Sequence, residues 1–419
     1  MHKTPQRVAV VGAGMVGLST AWYLQERGVD VTVVERTRVA AGSSWGNAGW
    51  LTPGLTTPLP EPAVLRYGVR AVLNPASPVY VPLQPDIRLV RFLAGFARHS
   101  TARRWGVAMR AYGPVNRIAL DAFDDLAAGG VGAGTREADP FLACYRTEDE
   151  RAVLLEELAH INAAGQEVKY DVVTGEEARQ QEPALSTAVG AAVRLYGQRF
   201  LNPPEFVRAL ASSVRERGGE VREGVTVARV DDVGNGVELV DDAGARQRYD
   251  AVVLANGAWL SGLARPYGVR RPVQAGRGYS FNVACERVPD NPVYFPAQRV
   301  ACTPLADESG PRLRVAGMME FRAPDDPLDR RRVRAIVDSV RPLLQGVDLD
   351  DRRDEWVGSR PCTPDGLPLI GATSSPRVFA AGGHGMWGIA LGPATGRLLS
   401  ERIVTGNTPP ELVAFDPLR

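Results

Sequence analysis

The stretch VAVVGAGMVGLSTAWYLQERGVDVTVVE, Val8 to Glu35, decides the fold. Val8–Val11 is a short β-branched apolar run, as a strand buried on both faces requires. Gly12, Gly14 and Gly17 follow with the spacing G-x-G-x-x-G. The first lets the chain turn tightly off the strand, the second lets backbone approach a pyrophosphate, and the third lets a helix pack closely on a strand. Met15 to Arg27 has helical apolar spacing, with Val16, Ala21 and Leu24 turned toward the sheet, and Gly28 ends it. Asp30–Glu35 reads as a second strand. Glu35 closes it roughly 20 residues past the turn, where an acid accepts hydrogen bonds from an adenosine ribose. The helix start at Met15 and Val16 offers free N–H groups and a positive dipole end to a diphosphate. This unit predicts a dinucleotide site and leaves NAD and FAD both open.

Outward from Glu35, the loop RTRVAAGSSWGNAGW (Arg36–Trp50) is rich in small and polar residues. A second strand would suit NAD better here. A glycine-rich loop that wraps a ribityl-diphosphate suits FAD, with Arg36, Ser43, Ser44, Asn47 and Ala48 beside it. Thr52 to Pro85 is proline-rich and without clean periodicity. From Arg66 to Arg117 arginines recur (Arg88, Arg91, Arg98, Arg103, Arg104, Arg110) with almost no acids, beside an apolar stripe of Leu89, Val90, Leu93, Phe96 and Ala97. Such a pattern suits a basic element that touches a membrane surface, or a solvated helix face over a core stripe; the second reading is preferred.

Helices are expected over Glu150–Ala164, Phe200–Arg217 (opening at the prolines of NPPEF) and Arg330–Leu344. Between Gly218 and Leu260, strands are expected at Glu220–Val221, Val225–Asp231, Val237–Asp241 and Ala251–Leu254, with turns at Asn235–Gly236 and Ala243–Gly244. Val227 would line the adenine side. AVVLANGAW is a buried strand ending at Ala255, Asn256 and Gly257, another place for backbone to approach a cofactor. Pro272 to Phe321 alternates short strands with turns, as an antiparallel sheet would. Near the C-terminus, Val378–Ala381 runs into Gly382, Gly383, Gly385 and Gly388, and then into a helix reaching about Val404. This second strand, glycine turn and helix would stabilise negative charge on a reduced flavin ring.

Composition sets the frame. With 419 residues, two domains are expected. Hydrophobic residues make up 44% and charged residues 23%, which is the composition of a globular chain. Forty-nine basic residues against 48 acidic ones give no support for a nucleic-acid partner. The four cysteines, Cys144, Cys285, Cys302 and Cys362, form no pair motif, which argues for a reducing compartment and against a metal cluster. MHKTPQR leads into a strand without a signal-like apolar run, and no run is long enough to span a bilayer. A cytoplasmic chain is expected, with contact at the inner membrane face as the alternative for the basic stretch.

Six segments together resemble the FAD-dependent D-amino acid oxidase superfamily over nearly the full length, and within it the small-subunit type of D-amino acid dehydrogenase. They are VAVVGAGMVGLSTAWYL, SSWGNAGWLTPG, GRGYSF, RVAGMMEF, GSRPCTPDGLPLIG and GGHGMWGIALGPATGRLL. The resemblance implies FAD and a mixed α/β (α+β) fold. A discontinuous Rossmann-like FAD-binding domain (1–60, 195–270, 355–419) would join a substrate domain built on an antiparallel sheet (61–194, 271–354). It implies that Arg360 binds the substrate carboxylate, a role that suits a two-pronged guanidinium, although pairing with Asp365 or Glu355 would serve structure alone. Tyr279 would add a hydroxyl donor or pack in the core. His384 would polarise the flavin or bond to backbone. Gly383, Gly385, Met386, Trp387 and Gly388 would adjoin the ring. Met386, Trp387 and the start Gly42-Ser43-Ser44-Trp45 depart from the family pattern and would border the substrate. His2, His99 and His160 read as surface residues. The expected reaction is oxidation of an amino acid, most simply a D-amino acid, at its Cα–N bond by hydride transfer to the flavin. A secondary-amine oxidase or dehydrogenase, an NAD-linked dehydrogenase and a non-catalytic flavoprotein subunit are the alternatives. Oxygen, a quinone or a protein would reoxidise the flavin.

Overall fold

The computed structural model describes residues 4–62, 74–82, 86–307 and 310–419; Arg66, much of the proline-rich stretch and His2 lie outside them. The opening unit forms as its sequence requires: strand Arg7–Val11, helix Met15–Glu26 and strand Asp30–Val34. Gly28, at φ 74°, turns the chain back. Arg7–Val11 pairs in parallel with Asp30–Val34 on one side and Ala251–Leu254 on the other. Glu220–Arg222 and Val378–Gly382 extend this parallel sheet, and Leu369–Ala372 closes it antiparallel as the sixth strand. Three distant parts of the chain thus supply one sheet.

The first helix departs from the expected one-sided stripe. Every residue from Met15 to Leu24 is buried except Val16, which is half-buried. The reason lies in its neighbours: the C-terminal helix Gly388–Thr405 and the helix Pro203–Glu216 both pack against it. The C-terminal helix comes unusually close. A Cβ at Gly392 would fall 2.5 Å from Met15 Cγ, and one at Gly396 would fall 2.6 Å from the Ser19 carbonyl carbon. Glycines four apart on one helix face let the two axes approach.

A second sheet has nine strands. Its main path runs Val347–Cys362, Gln274–Cys285, Gly310–Phe321, Val300–Asp307, Val293–Phe295, Phe141–Tyr145, Ala191–Leu195 and Tyr170–Thr174, mostly antiparallel. Val333, Ile336 and Val337 of helix Arg330–Val340 share a core with its Tyr279, Phe281 and Val283. A separate three-stranded sheet includes Arg246–Tyr249, which was not anticipated: Arg246, Gln247 and Arg248 are all exposed and give no apolar pattern. Phe200 belongs to a two-residue strand, and its helix starts only at Pro203.

The arginine-rich stretch forms helices Ile87–His99 and Ala102–Arg117. Leu89, Phe92 and Phe96 are the buried face of the first, and the two phenylalanine rings lie 5.2 and 6.2 Å from that of Phe321. The core stripe therefore exists, but Val90 and Ala97 are exposed and Phe92 takes the place assigned to them. No helix among the described residues is long and apolar enough to cross a membrane.

Candidate active site

Both glycine turns open on one cavity of about 1330 Å³. Gly12, Gly14, Met15 and Val16 line it from the N-terminal turn, and Gly385, Met386 and Gly388 from the C-terminal turn. Glu35, Arg36, Ser43, Ser44, Asn47, Val227, Ala255, Asn256, Gly257, Arg360 and His384 are also on its wall.

At the dinucleotide end, Gly12 adopts φ 111°, and a Cβ there would fall 2.5 Å from the Ala255 carbonyl oxygen. Gly12 is thus a glycine for the sake of the neighbouring strand. A Cβ at Gly17 would fall 2.0 Å from the Gly12 carbonyl oxygen, so helix and turn touch without a side chain between them. A Cβ at Gly14 would meet only Ser44 Oγ, at 3.3 Å. Ser44 Oγ also accepts from the Met15 N–H at 3.2 Å and caps the helix from the loop. Glu35 accepts from the N–H groups of Ala13 and Thr37, both at 3.0 Å. Its remaining lone pairs suit ribose hydroxyls. Asn256 Oδ1 is buried with no partner. A buried orphan acceptor costs about 1–3 kcal/mol, and a hydroxyl-bearing ligand in the cavity would answer it. Helix start, acid and orphaned amide together fit a dinucleotide such as FAD. The Arg36 guanidinium lies 3.7 Å over the Trp259 ring and 3.3 Å from Asp325, to which Trp259 Nε1 donates.

The loop that carries Ser43 to Asn47 is pinned to the second sheet. Arg314 donates to the carbonyls of Trp45 (3.0 Å) and Asn47 (3.3 Å). Thr303 donates to the Ala48 carbonyl at 2.8 Å. That bond draws Ala48 toward the sheet, and Ala48 is not among the cavity's lining residues.

Arg360 sits on strand Val347–Cys362, opposite Gly276. Its guanidinium crosses the face of Gly278, where a Cβ would fall 2.2 Å from Arg360 Cζ. Nη1 donates to the Met318 carbonyl at 2.8 Å. Met318 has φ 60°, and the pairing register slips there, opposite Gly278. This bulge aims a carbonyl at the arginine. Protein encloses Arg360 while part of its surface faces the cavity, and burial holds its pKa below the ordinary guanidinium range. Neither proposed carboxylate partner reaches it. Asp365 is 3.1 Å from Arg419 and 3.5 Å from Arg271, and Glu355 is 3.1 Å from Arg352.

Several expected site residues do not reach the cavity. Tyr279 is fully buried among Phe281 and Val283, and its hydroxyl donates to Glu320 at 2.5 Å. On a pleated strand it faces away from Gly278 and hence from Arg360, which rules out a hydroxyl donor to substrate there. Burial, and then the bond to Glu320, push its pKa up. Trp387 donates from Nε1 to the Thr57 carbonyl at 2.7 Å, which turns its ring off the lining. Gly383 faces Thr363, whose Cγ2 would meet an added Cβ at 2.8 Å. His384 is on the wall, but its Nε2 lies 2.9 Å from Thr395 Oγ1, and burial pushes its pKa down to about 4. The ring is neutral at neutral pH. His99, expected on the surface, lines the cavity with Nδ1 on the Gly95 carbonyl at 2.8 Å. Gly278, Met318, Trp259 and Arg314 were not anticipated; a glycine flanked by strand residues in GRGYSF was the available signal for the first.

Comparison with known proteins shows the family. The chain is 31% identical to a D-amino acid dehydrogenase of Xylella fastidiosa, over 95% of this chain and 92% of the relative. It is 29% identical to one of Cereibacter sphaeroides, over 96% and 92%. Among solved structures, glycine oxidase from Geobacillus kaustophilus superposes with a TM-score of 0.74 at 23% identity, covering 100% of this chain and 99% of that one. The family model described as DAO, FAD dependent oxidoreductase, matches residues 7–402, and the chain belongs to that family of FAD-dependent oxidoreductases.

Proposed function

We propose that the protein oxidises an amino acid, most simply a D-amino acid, to the imino acid, which water hydrolyses to a 2-oxo acid and ammonia. The carrying observation is Arg360: a cation facing the cavity, laid over Gly278 and held by a neutral carbonyl, with no carboxylate partner among the described residues. Two parallel guanidinium donors match a substrate carboxylate, and the enclosed setting strengthens the pair. The names of the dehydrogenase relatives support the D-amino acid reading.

Bound FAD supplies the acceptor for the hydride that leaves Cα. The chain's own part is positioning. Arg360 fixes the carboxylate and so limits the poses open to Cα. The substrate amine must be neutral for its lone pair to assist. Among the described lining residues none is placed as a base at Cα: Glu35 serves the opposite turn, Asp86 caps its own helix at the Arg88 N–H, His384 is occupied by Thr395, and His99 by Gly95. In the same proposal, 1–60, 195–270 and 355–419 surround the dinucleotide, and 61–194 and 271–354 cover the substrate. The strand Val347–Cys362 crosses that boundary and carries Arg360 to it.

Arg360→Ala should raise KM for the amino acid about 100-fold, the size of a lost bidentate charged contact, with bound FAD and its visible spectrum unchanged. Steady-state kinetics with a dye acceptor and D- or L-amino acids check it. An unchanged KM would remove Arg360 from the role.

A further inference from the structure

The chain as a whole is charge-balanced, with 49 basic and 48 acidic residues. Its cavity is not. Among the described residues, eight arginines and only two acids, Glu35 and Asp86, line the wall. A diphosphate would answer two of these charges and an α-carboxylate one, and a surplus remains.

That surplus gathers at the mouth. Arg88, Arg91, Gly95 and Arg98 lie on one face of helix Ile87–His99, because their spacings of three, four and three follow the helical turn. At Gly95 this face touches the substrate end: a Cβ there would fall 2.9 Å from Pro364, in the turn that follows Arg360. Arg270 and Arg271 line the same cavity. Arg271 shares Asp365, at 3.5 Å, with Arg419, which already meets both carboxylate oxygens at 3.1 and 3.2 Å. Arg88, Arg91 and Arg98 have no acidic partner among the described residues, and Asp86 spends an oxygen on the Arg88 backbone N–H. Two large apolar side chains are exposed on this helix, Ile87, which borders the arginine face four residues before Arg91, and Val90, which lies off it. Because Arg88, Arg91 and Arg98 all line the cavity wall, a ligand inside the cavity is favoured over a lipid surface as their partner.

We propose that the substrate carries a second carboxylate, which this arginine face receives while Arg360 holds the first; the inference rests on the amine-oxidising reading above. Two dicarboxylate chemistries qualify, an acidic side chain or a carboxyalkyl group on nitrogen. D-Glutamate, N-(carboxymethyl)-D-alanine and D-norvaline separate them, the last being a near match to glutamate without the second charge.

The test uses the FAD-loaded enzyme with a dye acceptor at low and high ionic strength. A dicarboxylate should give the higher kcat/KM, and added salt should erode that preference, since exposed charges are screened. The triple variant Arg88→Ala/Arg91→Ala/Arg98→Ala should lower kcat/KM for the preferred dicarboxylate about tenfold more than for D-norvaline, as the loss of several exposed charge contacts allows. Equal rates for D-glutamate, N-(carboxymethyl)-D-alanine and D-norvaline, or an equal loss on all three in the triple variant, overturns the inference while leaving amine oxidation intact. The triple variant losing binding to phosphatidylglycerol vesicles with its selectivity unchanged would assign the face to a membrane and also overturn it. If no amine bleaches the flavin anaerobically, the underlying reading fails, and this one with it.

Discussion

At the N-terminal turn the strand Arg7–Val11 enters its helix through Gly12, Ala13 and Gly14, of which Gly12 alone, at φ 111°, has a positive φ. At the C-terminal turn the strand Val378–Gly382 needs Gly383 at φ 75°, Gly385 at φ 55° and a 3-10 turn, Gly385–Trp387, before its helix begins at Gly388. The first turn is compact, and three glycines define it: Gly12 and Gly17 serve backbone packing, and Gly14 leaves room for Ser44 Oγ at the helix start. The second is longer, and side chains fill it. His384 is sealed onto Thr395, Trp387 is tied to Thr57, and Gly392 and Gly396 set the approach of its helix to the first one. Repetition of strand, glycines and helix thus conceals a division. One end is a backbone device that tolerates no side chain, and the other is a side-chain device that glycines make room for.

Substitution at Gly17 tests the first half most severely. Its backbone is not in the left-handed region, so alanine is conformationally allowed, but the new Cβ meets the Gly12 carbonyl oxygen at 2.0 Å with backbone on both sides. Gly17→Ala should destabilise the fold by more than about 4 kcal/mol, as irreducible overpacking of a core turn does. The expected result is little soluble, FAD-bearing protein. A yellow variant with the parent's thermal midpoint would show that the turn has more freedom than its geometry allows.

Gly278→Ala probes a glycine that makes room for a side chain. Here the obstructed atom, Arg360 Cζ at 2.2 Å, is the end of a flexible side chain, so the arginine moves and the fold stays. KM for the amino acid should rise by about 100-fold, comparable with loss of the charged contact itself, while FAD content and thermal midpoint change little. Parallel kinetics and absorbance of the purified variant decide it; a variant with normal KM would mean that the fork does not lie across Gly278 when substrate binds.

This contrast also explains what could be read from sequence. The N-terminal turn was legible because each glycine's role is local and its spacing is fixed by the turn. Ser43, Ser44 and Asn47 were legible because a polar, glycine-rich loop beside such a turn has little else to do, and all three lie on the cavity. Tyr279 was misplaced although the period-two rule was available: it shares a strand face with Phe281 and Val283, both fully buried. Trp387 and Gly383 failed for another reason. Within one glycine turn, which residues face inward depends on backbone angles that the letters do not encode. The Met318 bulge was beyond reach, since a methionine at φ 60° leaves no mark in composition or spacing.

His384 offers the finest separation of the two turns, because its burial is a property of the C-terminal one alone. Its folded pKa of about 4 lies below the ordinary 6.5, through burial. The unfolded chain therefore takes up a proton near pH 6.5 that the folded chain refuses until about pH 4. The stability linked to this group is complete above pH 6.5 and is lost as pH falls from there toward 4, a loss of about 2 kcal/mol at pH 5. Glutamine can keep a hydrogen bond to Thr395 and cannot titrate. His384→Gln should therefore lose less stability than the parent between pH 7 and pH 5, whatever its stability at pH 7. Urea unfolding at both values measures the difference. Equal losses in parent and variant would mean that the imidazole takes up its proton without leaving its niche, so that the second turn is open to solvent where its packing against Thr395 indicates closure.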